Sequence, residues 1–314
     1  MKINKNIENL MLQKITGLSK NQLFLNNYTL TDFQKKQLLE YQKRYLSWEP
    51  IEYIIENAEF YGLDFYVDSR VLIPRNDTEI MVEKVIESVK FKKEKYFLNF
   101  WFNDWKLFES QSMIAPIFEG IKLNNFKNIN TILIDIWTGS ACIPISILKN
   151  LSTAGPSPLK TYAIDISKDA LDVAKINIKK HNLEDKIELI QSDLLKDFKQ
   201  ILSSKFYKLN TIIITANLPY IKNWDFENMD KETIKFEPDL ALYWWEKTGF
   251  ELYEKLIFQI FELQNIYNIK KIILFIEIWF DQKQIAIDFL KKQNLKFEIF
   301  KDNNNIDRCI KIYF

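Results

Sequence analysis

Residues 211–220 read TIIITANLPY: four consecutive β-branched residues run into Thr215 and Ala216, then a tip of Asn217, Leu218, Pro219 and Tyr220. The Asn217 carboxamide carries an acceptor and a donor on one plane. Pro219 stiffens the tip and removes a backbone N–H, and Tyr220 offers a flat ring. Such a set can hold a planar, nitrogen-bearing group by its N–H bonds and by ring packing. An ordinary strand-to-loop turn is the competing explanation, because Asn and Pro favour turns for backbone reasons alone. The apolar run predicts a buried parallel strand, and ligands of open α/β sheets bind at the carboxyl edge of such strands.

A second set shares that edge. Asp135 lies within the apolar stretch 129–136, which runs into Trp137, Thr138, Gly139, Ser140 and Ala141, with a helix beginning near Cys142. A strand that turns directly into a helix presents backbone N–H groups to the polar part of a ligand. Asp165 ends the next strand, 160–165, where a carboxylate can accept both hydroxyls of a ribose. Asp193 follows a third strand, 186–190, where an adenine ring would lie. Each residue alone reads as a solvated strand end. Asp135, Asp165, Asp193 and Asn217 in register favour a nucleoside-bearing cofactor. The G-x-x-x-x-G-K-[ST] loop of an ATPase is not found.

The elements that position these residues follow from periodicity. Residues 1–57 read as helices, over 6–18, 21–25 and 31–46, with Thr31 as an N-cap. They form an expected helical domain for substrate recognition. Residues 58–71 alternate aromatic and polar side chains around Gly62 and predict a hairpin within a linker over 58–73. The third domain expected is 74–314. It opens on LIPRNDTE and a helix from Ile80 to about Lys93, with Asp77 or Thr78 as cap. Capping gives Arg75 no role, which makes it a candidate for substrate contact. Residues 94–130 read as an irregular connector. Further helices are expected at 167–181, 250–263 and 281–293, strands at 211–216 and 271–278, and a closing pair at 297–300 and 309–314. This alternation predicts a doubly wound, mostly parallel seven-stranded sheet with a small N-terminal helical domain.

Composition narrows the class. Hydrophobic residues make up 47% of the 314, enough for a sizeable core, and the net charge of +1 gives no global field toward nucleic acid or membrane. Cys142 and Cys309 have no paired spacing and His181 is the single histidine, so no metal site or histidine-based triad is expected. No run reaches membrane-spanning length and the start leads into no apolar signal core, which points to a cytoplasmic protein.

Together these motifs resemble the S-adenosylmethionine-dependent protein-glutamine N5-methyltransferases of peptide chain release factors. The resemblance runs from about Pro50 onward. It is carried by EPIEYI, AEFYGLDF, VLIPRNDTE, DIWTGSACIPISI, AIDISKDALDVAKINIKKHNL, QSDLL, NLPYI, FEPDLALYWWEKTGFELYEKLI, EIWFDQ and DRCIKIYF. It implies S-adenosylmethionine bound by the 137–141 loop, Asp165 and Leu194, and a substrate glutamine held by residues 217–220. A monomer acting on release factors is expected, with no stable nucleic-acid partner. NLPY is also similar to the motif of rRNA adenine N6-dimethyltransferases, but those usually carry their extra helical domain after the catalytic one and lack VLIPR-x-DTE.

The chain departs from the family at glycine positions. Trp137, Trp244, Trp245, Trp279 and commonly Trp48 stand where the family has glycine, five of the eight tryptophans. Ala141 replaces another loop glycine and Leu218 replaces the first proline of the family's Asn-Pro-Pro-Tyr. One explanation is a degenerate, non-catalytic homologue. The other is a gene that reads UGA as glycine, translated here as Trp. The 6 glycines in 314 residues, against roughly 7% in average proteins, agree with the second. A genuine indole at 137 would weaken or abolish binding of the methyl donor.

Overall fold

The computed structural model describes residues 3–25, 28–89, 131–152, 159–198, 211–220, 235–242, 248–267, 269 and 271–314. Trp244, Trp245 and the expected connector over 94–130 lie outside them.

Four helices come first: α1 (Lys5–Thr16), α2 (Lys20–Leu25), α3 (Asp32–Leu46) and α4 (Ile51–Ile55). Thr31 opens α3 with a reciprocal capping box. Its hydroxyl accepts the Gln34 N–H at 3.2 Å, and the Gln34 side chain accepts the Thr31 N–H at 3.0 Å. The hairpin is shorter than the alternation over 58–71 suggests. Only β1 (Ala58–Phe60) and β2 (Leu63–Phe65) pair, through a turn with Tyr61 and Gly62 both at positive φ. Beyond Phe65, Tyr66, Val67 and Val71 pack without strand pairing.

A 3-10 turn, Asn76–Thr78, leads into α5 (residues 79–89). The expected cap does not form. Thr78 turns inward and is buried, and Asp77 pairs with Arg308 at 3.1 Å, so neither side chain is left for the helix start.

The sheet contains β3 (Thr131–Ile136), β4 (Lys160–Asp165), β5 (Ile187–Gln191), β6 (Thr211–Ala216), β7 (Ile272–Glu277), β8 (Lys296–Lys301) and β9 (Asp307–Tyr313). Its order is β5-β4-β3-β6-β7-β9-β8. The first five strands are parallel, and β9 is antiparallel to both β7 and β8. Helices α6 (Cys142–Ser152), α7 (Lys168–Lys180), α8 (Asp239–Leu242), α9 (Glu251–Tyr267) and α10 (Lys283–Lys292) complete the described elements.

Strand side chains alternate between two cores. Ile132, Ile134 and Ile136 of β3 face one cluster with Tyr253, Leu256 and Ile260 of α9. Leu133 faces the other, with Ile145 and Leu148 of α6. Burial on both faces is why these strands read as unbroken apolar runs. The strand order reverses between β3 and β6, which opens a crevice at their carboxyl ends. No helix among the described residues is long and apolar enough to cross a membrane.

Candidate active site

At the end of β3, Asp135 is fully buried. It accepts the hydroxyls of Thr138 and Thr215 at 2.6 Å each, which ties the loop to β6. Burial pushes its carboxyl up to about 7 despite those two bonds. Asp165 ends β4. Its Oδ2 accepts the Gly139 N–H and its Oδ1 the Ser167 N–H, both at 2.9 Å. Burial raises Asp165 to about 6 against those bonds. Ser167 then caps α7 by accepting the Ala170 N–H at 3.2 Å.

Two cavities flank this edge. The first, about 80 Å³, is lined by Trp137, Thr138, Gly139, Ser140 and Asp165, and by Arg75 and Asn217. The second, about 430 Å³, is lined by Asn217, Leu218, Pro219, Tyr220, Glu277 and Trp279, again with Arg75. Asn217 therefore stands between them. Asp135 and Ala141 lie behind the loop, buried, and line neither cavity. Asp193 is also outside both, paired with Lys255 at 2.6 Å, and Leu194 is buried in the core.

The loop that carries Asn217 is held from several sides. Tyr253 of α9 accepts the Leu218 N–H at 3.0 Å and donates to the Glu277 carbonyl at 2.5 Å. This single hydroxyl joins the tip of β6 to the end of β7. The Tyr220 hydroxyl donates to Glu277 Oε1 at 3.2 Å, and its ring stacks on Trp279 at 5.3 Å. Burial, then the Glu277 charge, holds the Tyr220 phenol well above its ordinary value, so it stays a donor. Gly249 lies against the same loop at φ 72°, and a side chain there would overlap the Tyr220 carbonyl. Opposite, Arg75 Nη2 donates to both carboxylate oxygens of buried Glu237, at 2.7 and 2.6 Å, across 162 residues of sequence. Glu237 also accepts the Ile73 N–H at 3.4 Å, which fixes the LIPR segment over the second cavity.

Sequence reasoning missed Thr78, Tyr253 and Glu277 as site residues. All three lie inside motifs quoted above, but their meeting depends on sheet order, which one sequence does not display. Glu237 was visible only as part of FEPDLAL.

The polar groups suit a nucleoside-bearing cofactor. Asp165 lines the first cavity, and the 138–141 loop runs into the start of α6. The volume does not suit it, since about 80 Å³ is well below the roughly 300 Å³ of small-molecule sites. Trp137, packed between the cavity and the sheet core, occupies the loop at that point.

No protein-family model matches the chain. A release factor glutamine methyltransferase of Flavobacterium psychrophilum is 30% identical over 284 residues, covering 88% of this chain and 81% of that protein. One of Clostridium acetobutylicum is 31% identical, covering 76% of this chain and 68% of its own length. A bifunctional methyltransferase of Rickettsia bellii is 36% identical over 201 residues, 64% of this chain. The chain spans only 32% to 45% of that protein and its counterparts in Rickettsia typhi, prowazekii and conorii. Among solved structures, the human METTL16 catalytic domain in complex with a MAT2A 3'UTR hairpin is 13% identical. It covers 90% of this chain and 81% of that one at a TM-score of 0.49, a likeness too slight to carry argument.

Proposed function

The chain belongs to the release factor glutamine methyltransferase family, and on that footing we propose that it transfers a methyl group from S-adenosylmethionine to the side-chain amide nitrogen of a glutamine in peptide chain release factors. The observation that carries this reading is Asn217 standing between a small cavity at the 137–141 loop and a larger one lined by residues 217–220. A donor at the 137–141 loop, where glycine in place of Trp137 would widen the first cavity, and a side-chain amide in the second would meet at that carboxamide.

When bound, the cofactor supplies an electrophilic methyl on a sulfonium. Asp165 would take its ribose hydroxyls and the loop from Thr138 to Ser140 its polar end. The acceptor problem falls to the protein. An amide nitrogen is a poor nucleophile because its lone pair is delocalised into the carbonyl. Asn217 Oδ1 and the Leu218 carbonyl would accept its two N–H bonds, which would fix the group with its π face toward the methyl. Holding two reactants in one pose is the main catalytic effect, and the accepting oxygens stabilise positive charge growing on nitrogen. Tyr220 packs along the substrate side chain, and Arg75 with Glu237 holds the opposite wall. The reading also places the reaction in the cytoplasm, with a monomeric enzyme acting on protein rather than nucleic acid.

The non-catalytic alternative rests on the small first cavity and Trp137. The test is methyl incorporation into release factor, its glutamine-to-alanine variant and small-subunit rRNA in parallel. Label on the first alone supports the proposal. Label on rRNA, or on none while the donor binds, ends it.

A further inference from the structure

The proposed reaction asks two oxygens at the tip of β6 to keep a fixed spacing, Asn217 Oδ1 on a side chain and the Leu218 carbonyl on the main chain. The backbone between them turns about ψ of Asn217 and about φ and ψ of Leu218. Pro219 restricts the last of these, because a residue before proline is confined to extended conformations. No ring restricts the other two. A proline at 218 would lock its own φ and confine Asn217 as well, but this chain has leucine there. The tip is softer than a Pro-Pro tip at the place where the two acceptors must hold still.

Leucine also brings an N–H that proline lacks, and brings it into a buried place, since Leu218 belongs to the core cluster and is 1% exposed. A buried N–H without a partner is costly. The Tyr253 hydroxyl accepts it at 3.0 Å and gives its own proton to the Glu277 carbonyl at 2.5 Å. A carbonyl can only accept, so the direction of both bonds is settled. Tyr253 is itself fully buried on α9, its ring 5.3 Å from that of Phe250. The hydroxyl is thus a fixed point, tied to the end of β7. Its bond holds the plane of the Asn217–Leu218 peptide, and with the Leu218 side chain sunk in the core this sets both soft torsions. The Asn217 carboxamide is held separately, through Nδ2, which donates to the Thr78 hydroxyl at 3.4 Å.

We propose that Tyr253 is a positioning residue for methyl transfer: its bond to the Leu218 N–H does for the tip what a proline ring at 218 would do covalently, and keeps the two acceptor oxygens at the spacing that receives a primary amide. This rests on the function proposed above and adds a residue to it.

The test compares four full-length chains: unaltered, Tyr253→Phe, Leu218→Pro and the two changes together. Position 218 has no positive φ, so proline meets no left-handed backbone there. Affinity for a synthetic glutamine-bearing peptide is measured by calorimetry without donor. Tyr253→Phe should weaken binding about tenfold when residue 218 is leucine, and less than about twofold when it is proline. The Glu277 carbonyl loses its donor in both cases, so the cycle isolates the Leu218 bond. Equal losses in the two backgrounds make Tyr253 a packing residue and overturn the inference, as does no loss in either. Amide exchange reads the bond itself and decides the matter even if the proline variants misfold. Tyr253→Phe should speed exchange at Leu218 about tenfold and change it less at 212–216. No change at Leu218, or an equal change along β6, also overturns the inference. All these outcomes leave the proposed function standing. A peptide that the unaltered chain neither binds nor methylates overturns both.

Discussion

Position 137 has φ 63° and position 48 has φ 70°, both in the left-handed region, and both carry tryptophan. That conformation costs a residue with a Cβ about 1–2 kcal/mol, and glycine almost nothing. Trp279 is different: its φ is not positive, and its indole stacks on Tyr220. Two of the three described tryptophans at family glycine positions thus sit on backbone that favours glycine. This supports reading those codons as glycine over decay, which has no reason to select such backbone. UGA codons at 48 and 137, with glycine in peptides of the native protein by mass spectrometry, are the expected result; UGG codons end the idea. At the protein level, Trp48→Gly should raise stability by about 1 kcal/mol in denaturant unfolding, since Trp48 is 45% exposed and has little packing to lose. Trp137→Gly should tighten donor binding at least about tenfold by calorimetry. Micromolar donor affinity in the Trp137 protein would contradict this account.

The strands carry buried acids at their carboxyl ends, Asp135 on β3, Asp165 on β4 and Glu277 on β7. The sequence showed all three at strand ends, because a lone acid closing an apolar run is easy to see. It did not show that Asp135 faces inward to Thr138 and Thr215, since a period of two cannot separate the two buried faces of one sheet. Strand limits fell within about two residues for the same reason: apolar runs mark burial, and ladder pairing sets the ends. The hairpin was overextended because Tyr66, Val67 and Val71, past the last paired residue, serve packing rather than pairing. Burial gives Asp135 a clear linkage sign. Its folded pKa, about 7, lies above the unfolded value, so the folded state holds the extra proton. Stability from this group is present at low pH and is lost as pH rises toward 7. Asp135→Asn keeps a neutral partner for both threonines and should flatten that fall. Relative to the unaltered chain, the variant should gain on the order of 2 kcal/mol between about pH 5 and 8 in urea unfolding. An unchanged difference across that range would show the carboxyl to be charged throughout.

For the molecule as a whole, the open matter is how the N-terminal helices join the sheet. Helical periodicity over 1–57 suggested one unit ending before the hairpin, and no spacing in the sequence says which neighbour α4 serves. In the structure α4 contacts both sides. Lys14 of α1 pairs with Glu56 at its end at 3.0 Å. Tyr53 lies in a cluster with Val67, Val71 and Ile73 beyond the hairpin and with Ala170 and Val173 of α7, and its hydroxyl donates to the Val71 carbonyl at 2.6 Å. The Lys14–Glu56 pair is partly exposed and worth little, whereas Tyr53 is 3% exposed, and its loss would leave a cavity and an unpaired carbonyl. The mechanical boundary should therefore lie before α4. A chain lacking residues 1–46 should unfold cooperatively with stability close to that of the full chain. A chain lacking 1–57 should lose about 3 kcal/mol or more, as should Tyr53→Ala in the full chain, while Tyr53→Phe should lose only about 1. Equal stability of the two truncated chains in urea would place α4 with the helices before it and show that its contact with α7 contributes nothing to holding the sheet domain together.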